Sequence, residues 1–269
     1  MSYFTLRSLS AAAGLLLISG PGWSQPSTDS LRRADAAQRP IQASATGCTH
    51  PFGLREGQSI DYQLLDAKGK PVGSWRYRVL SIRTESTAAK KKQKAVVTTR
   101  VQLKSGLYSP SNQVLQQQDL SYLCRHDTVF TDGLDEINYE GLKPFRDRRF
   151  AYEGSSLAWP NQPTPNTALP QGGAMVQVSS PSVSVAKVRT LVHQRKVQAG
   201  QTSVTVPVGT FNCYVVESQR ELATEARVDL TLKSTGRQVD YYDPAVGLIK
   251  TEYYDKGGKL VQARVLARR

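Results

Sequence analysis

The sequence predicts an all-β domain with one short helical interruption, and three observations carry that prediction. About ten segments alternate apolar and polar residues with a period of two. Turn signals rich in Gly, Asn and Pro separate them at short intervals. Only Asp132 to Asp147 breaks the alternation for long. A sheet of so many strands must curl or close, around side chains or around a ligand.

The first residues stand apart from that pattern. Arg7, the apolar stretch Ala11 to Gly20 and the small residues before Gln25 give residues 1–24 the three parts of a secretory signal peptide. Residues 25–47 have few apolar side chains and predict a flexible leader. A single domain is expected over 48–269. No apolar run is long enough to span a membrane as a helix. Export places the mature chain in the periplasm or outside the cell.

Ser59 to Asp66 predicts a strand, and Ala67-Lys68-Gly69-Lys70 a turn. Trp75, Tyr77 and Val79 then alternate with Arg76 and Arg78, the mark of a sheet with one wet face. Val97, Thr99, Val101 and Leu103 repeat the pattern up to Gly106; Leu120, Tyr122 and Cys124 share a face in the next strand. Leu134, Ile137, Leu142 and Phe145 suit one side of a short helix, although Gly141 and Pro144 oppose it. The Pro-rich run Trp159 to Pro170 is excluded from a central strand. Further strands are expected at Val183 to Val192, Val204 to Ser218, Ala226 to Lys233, Val239 to Tyr254 and Leu260 to Ala267. Lys256-Gly257-Gly258-Lys259 is a hairpin turn that echoes Lys68-Gly69-Lys70, although two matching turns do not make a repeat.

The formal charge is +13, or +12 without Arg7. Such a balance favours attraction to anionic surfaces. The densest run, Lys90 to Lys92 with Lys94, suits a solvated hairpin tip, and no nucleic-acid fingerprint accompanies it. The three cysteines form no CxxC pair. Cys48 in an N-terminal loop and Cys124 at a strand end are expected to form a structural disulfide, leaving Cys213 buried and reduced in the apolar segment around it.

Catalytic patterns are scarce. His50, His126 and His193 are scattered without metal spacing, and no metalloprotease, nucleophile-elbow or phosphate-loop motif is present, so neither metal nor cofactor is expected. Ser121 with His126 and Asp127 has no triad logic in sequence adjacency. Asp132, Asp135 and Glu136 form the densest acidic group, and caps of the predicted helix explain them more simply than glycoside hydrolysis does. A hydrolase is therefore disfavoured. Aromatic residues Trp75, Tyr77, Tyr122, Trp159, Phe211 and Tyr214 are the candidate walls of an apolar ligand site, with Phe150 a weaker addition; packing of a curved sheet is the plainer reading of them.

Two stretches, Val206-Pro-Val-Gly-Thr-Phe-Asn-Cys-Tyr214 and Tyr242-Asp-Pro-Ala-Val-Gly-Leu-Ile-Lys250 followed by Asp255-Lys-Gly-Gly-Lys259, resemble the TapB-like family of exported bacterial proteins. Val208 replaces that family's usual Ala, and Tyr241 its usual Trp. Cys48 and Cys124 look like its first two cysteine positions. The resemblance implies a curved antiparallel half-barrel similar to LolA and LolB, with no established activity. Physically these motifs read as architecture, with Pro207 expected to open a strand and Gly209 to permit a tight turn. The expectation is a non-enzymatic exported protein holding an apolar ligand or lipid. The alternative is an envelope interaction protein that meets anionic polymers or a protein partner.

Overall fold

The structure, a computed structural model, describes residues 48, 50–87, 96–181, 183–227 and 230–269. The expected signal peptide, the leader and the Lys90 to Lys94 hairpin tip lie outside them.

The described residues form one antiparallel sheet of fourteen strands. Its strands are β1 (Ser59–Asp66), β2 (Pro71–Thr87), β3 (Val96–Tyr108), β4 (Val114–Arg125), β5 (Thr128–Thr131), β6 (Arg149–Ser155) and β7 (Leu157–Pro160). They continue with β8 (Ala168–Leu169), β9 (Gly172–Ser180), β10 (Val183–Val206), β11 (Gly209–Arg227), β12 (Leu230–Asp243), β13 (Gly247–Asp255) and β14 (Leu260–Arg268). The order across the sheet is β6-β9-β10-β11-β12-β13-β14-β1-β2-β3-β4-β5-β7, with β8 added beside β10.

The two ends of that order are consecutive in the chain. β6 pairs with β9, whereas β7, reached through Ser156 alone, pairs with β5. One extended segment therefore joins the margins and makes the sheet a nearly closed barrel. Pro160 is tolerated because β7 is the last strand on its side, where a missing N–H interrupts no ladder.

Alternation sets the interior. Tyr77 and Val79 of β2, Val101 and Leu103 of β3, and Leu120, Tyr122 and Cys124 of β4 all point inward and are buried. A smaller cluster, Ile137 and Leu142 against Val176, Val178 and Val188, seats the helical segment on β9 and β10. That segment is not the single helix expected. It breaks into a 3₁₀ turn (Gly133–Glu136), one turn of helix α1 (Tyr139–Leu142) and a second 3₁₀ turn (Lys143–Phe145). Pro144 and Gly141 account for the break, since each disfavours a continuous helix.

Several strand assignments are corrected, among them Val239 to Tyr254, which spans the end of β12 and most of β13 with a turn at 244–246 between them. β3 runs through Gly106 to Tyr108. β10 is one strand of 24 residues, kept continuous by irregularities between His193 and Lys196 and between Val197 and Gln201. Ala226 to Lys233 is not one strand: β11 ends at Arg227 and β12 begins at Leu230, and Leu230 and Leu232 are exposed. Pro207, likewise, does not open a strand. It sits with Val208 in the two-residue link of the β10–β11 hairpin, where Val206 faces Gly209.

Cys48 and Cys124 form a disulfide across 76 residues, and Cys213 is free and buried. The bridge ties the segment preceding β1 to β4. Next to it, Pro51–Gly53 forms a 3₁₀ turn that caps one end of the barrel with the buried ring of Phe52.

Candidate functional site

The barrel interior holds charges among its aromatic rings. Asp135, on the 3₁₀ turn, is buried and accepts hydrogen bonds from the Tyr77 hydroxyl at 2.7 Å and the Tyr122 hydroxyl at 2.6 Å. Arg264 of β14, also buried, donates to the Tyr77 hydroxyl at 3.4 Å and lies 5.4 Å from the Tyr62 ring centroid. Burial raises the Asp135 carboxyl, opposed by the Arg264 charge and the two tyrosine donors. Burial, reinforced by Asp135, pushes both tyrosines well above their ordinary value. Burial would lower Arg264, but the surrounding tyrosine and carboxylate groups outweigh it and hold the guanidinium charged.

A second group lies along β10, β12 and β13. Asp240 accepts from Gln238 and, at 2.8 Å, from the Thr251 hydroxyl; burial first, then Glu136, pushes it up to about 6. Arg195 donates to the carbonyls of Pro170 and Ala158 and stands 4.7 Å over the Trp159 ring. Burial lowers Arg195 to about 10. Glu136 is buried with its carboxylate 3.8 Å from Arg220.

The acidic group therefore divides. Asp132 does cap its turn, accepting from the Leu134 amide at 3.0 Å and also from Ser121 on β4 at 2.9 Å. Asp135 and Glu136 are interior ion partners rather than caps. Arg264 bears on Asp135 and favours its charged form, while the neighbouring Glu136 carboxylate disfavours it.

The six candidate aromatics fall into two sets. Trp75 stacks on Tyr77 with centroids 6.5 Å apart, and Tyr77 meets Tyr62 edge-on at 5.7 Å; these join Tyr122 at Asp135. Trp159 and Tyr214 flank Tyr242 at 5.3 and 5.8 Å, and Phe211 packs against the same core. Trp159 donates to the Thr131 hydroxyl at 2.9 Å and is almost wholly buried. Phe150 lies in the smaller cluster beside Tyr152.

Between Phe52, Ile60, Tyr77, Asp135, Leu248 and Arg264 remains a cavity of about 30 Å³. It suits water or a very small molecule, far below the roughly 300–1,000 Å³ typical of ligand sites. Its cover is tightly fixed. Phe52 takes a left-handed backbone with φ of 53°. Gly247, with φ of 98°, lets the ring lie against the β12–β13 turn, where an added Cβ would stand 3.2 Å from it. The side chain of Arg269 donates to the carbonyls of both Phe52 and Val246, clipping the cap to that turn.

Sequence reasoning missed Arg195, Asp240 and Arg264 as interior groups. The available signal was a charge embedded in an apolar run, as in Ala263-Arg264-Val265-Leu266, all four buried.

A family model described as DUF3108-like matches residues 55–266. Among solved structures, a Bacteroides fragilis protein described as exported with a YmcC-like fold aligns with TM-score 0.63 and 16% identity, over 83% of this chain and 99% of its own. A Parabacteroides distasonis protein described as a lipoprotein aligns with TM-score 0.64 and 22% identity, over 84% of this chain and 99% of its own. At such identities they show the fold. No curated protein matches the chain. The comparisons name the YmcC-like fold where the motif resemblance named LolA and LolB.

Proposed function

The chain belongs to the DUF3108-like family, a domain of unknown function, and from that premise we propose that it is a non-enzymatic protein of the cell envelope that acts through its outer surface. The observation that carries this reading is the filled interior. Among the described residues the cavity beside Asp135 measures only about 30 Å³, and Asp135, Glu136 and Asp240 are engaged by Tyr, Arg, Gln and Thr side chains. Two solved relatives described as exported and as a lipoprotein agree with an envelope location, as does the signal-like sequence of residues 1–24.

The outer face of β2 and β3 suits an anionic polymer. Arg78 stands directly opposite Lys104, and Arg83 opposite Arg100, all exposed. Like charges in directly opposed positions destabilise a sheet, and a polyanion would relieve them. Lys104 also stands opposite Asp119 of β4, whereas Arg100 stands opposite Leu123; later strands carry ion pairs such as Arg189–Glu221 at 2.6 Å and Arg237–Glu217 at 3.0 Å. The test is retention on an anionic polymer. Wild type should bind at low salt and elute before 0.5 M salt, and Arg83→Glu with Arg100→Glu should abolish binding. Retention that ignores both salt and substitution would overturn the reading.

One observation favours a second reading, a ligand-binding interior. Phe52 is a bulky residue held at positive φ directly over the cavity, and strain of that kind accompanies ligand clamps. An apolar molecule would then enter by displacing the Phe52 ring. Native mass spectrometry of the protein purified from its host decides this: adducts released by organic solvent support a carrier, and a bare polypeptide mass counts against it.

A further inference from the structure

Three neighbouring hairpins, β13–β14, β1–β2 and β3–β4, end in the same turn. In each, a first residue closes a five-residue loop by donating its amide to the carbonyl of the fifth: Asp66 to Lys70, Ser109 to Gln113, Asp255 to Lys259. The same residue's side chain accepts from the fifth amide at 2.9, 3.1 and 3.0 Å. The fourth residue is left-handed each time: Gly69 at 77°, Asn112 at 63° and Gly258 at 78°.

The copying continues past the turn. Two residues beyond each loop the ladder slips, leaving one unpaired residue: Val72 between Pro71 and Gly73, Leu115 between Val114 and Gln116, Val261 between Leu260 and Gln262. A bulge of this kind re-aims a side chain. All three bulged residues are aliphatic, and they are 38%, 38% and 47% exposed. Nothing in the interior requires them there.

The hairpins are consecutive in the sheet, and their tips point the same way. The register sets each tip back from its neighbour by roughly two residues, the offset that a strand tilt of about 35–45° produces across two strands. The tips therefore lie along one rim of the barrel, at the end opposite the Phe52 cap. Lys68, Lys70, Lys256 and Lys259 are exposed on two of these tips. The carboxylates of Asp66 and Asp255 are turned onto main-chain amides of their own loops.

We propose that this rim docks on the surface of an anionic lipid bilayer, with Val72, Leu115 and Val261 entering the headgroup boundary and the four lysines meeting the lipid charge. Separate aliphatic points on three loops, each beside cations or polar groups, match a deformable planar surface. A folded protein partner would call for one contiguous patch. The rim is distinct from the β2–β3 face, so this inference does not rest on the polymer-binding reading.

Flotation of the protein purified from its host tests it, with phosphatidylglycerol–phosphatidylethanolamine vesicles set against pure phosphatidylcholine vesicles. Wild type should float with the anionic vesicles at 0.1 M salt and stay behind with phosphatidylcholine. Val72→Ser, Leu115→Ser and Val261→Ser combined should lower the partition coefficient at least tenfold, and so should Lys→Gln at positions 68, 70, 256 and 259. The Lys→Gln set changes only exposed turn residues, so it remains informative if the serine variant misfolds; circular dichroism checks both. The proposal falls if wild type ignores the anionic vesicles or if a folded variant floats like wild type. It falls equally if soluble polyglutamate displaces wild type while the serine variant binds unchanged, which would mark a simple polyanion site.

Discussion

The Tyr122 hydroxyl donates to Asp135 Oδ2 across 2.6 Å, joining β4 to a turn that enters the barrel from the segment before β6. A buried carboxylate deprived of one donor keeps its desolvation penalty without the compensating bond. Tyr122→Phe should lose about 1.5–3 kcal/mol in urea denaturation at pH 7, the range for a bond to a charged group. Arg264→Met should lose about 3–5 kcal/mol, because it strands the charge of Asp135. Losses under about 0.5 kcal/mol in both would show that the network is incidental to stability.

Asp240 gives a pH signature. Its carboxyl is raised from 3.8 to about 6 on folding. A raised acid binds its proton more tightly in the folded state, so its contribution is complete below the unfolded value and is lost as pH rises towards 6. The stability of wild type relative to Asp240→Asn should fall by up to about 3 kcal/mol between pH 4 and pH 7, at about 1.36 kcal/mol per unit. A difference that stays level across that window would contradict the assignment.

The disulfide and the free thiol are separable by chemistry. Reduction of Cys48–Cys124, or its replacement by serines, removes a cross-link over 76 residues and should lower stability by about 4 kcal/mol in the chain-entropy model. Cys213 is buried, and burial raises its thiol to about 12. The native protein should leave an aromatic disulfide reagent unreacted for hours and release one equivalent of thiol on denaturation. Prompt reaction without denaturant would place Cys213 elsewhere.

The cap over the cavity depends on Gly53. It has φ of 59°, and an added Cβ would stand 2.6 Å from the Ala245 carbonyl. Gly53→Ala should cost about 1–3 kcal/mol, the range for a strained backbone. It should also raise hydrogen exchange at Leu54 and Leu248 by tenfold or more, leaving β9 and β10 unchanged. Exchange that rises uniformly would mean the cap unfolds only with the whole barrel.

The strands were legible where burial follows simple alternation. β1 begins and ends where the sequence places it, because Ile60, Tyr62 and Leu64 form one buried face between turn residues. The turns were legible for the same local reason, since Gly69 and Gly258 supply the left-handed residue that the loop demands. Their repetition was only half visible. The third copy uses Ser109 and Asn112, which share geometry with Asp and Gly without sharing identity. Ala226 to Lys233 misled because its regular alternation runs from β11 into β12, where Leu230 and Leu232 are exposed instead of buried. The interior charges were hidden by the converse problem. Asp240 accepts from Thr251 of β13, and Arg264 meets Tyr62 of β1 and Tyr77 of β2, partners that only the folded sheet brings to them. Which aromatics meet was equally a matter of topology, since Trp159 reaches Tyr242 only because β7 closes the ring.

β14 pairs with β1, so β1 gains its second neighbour only after β2 to β13 have been made. A ribosome or a translocation channel releases the chain from its N-terminus, and β1 must wait for nearly the whole length before Tyr62 gains Leu266 as a neighbour. Until then the edge of β1 that β14 covers has no partner there and is open to pairing with other chains. Closure of the barrel therefore waits for β14, by whatever route the chain emerges. An order-of-release experiment would see this as protease resistance that arrives all at once, with the arrival of Arg268 opposite Asp61.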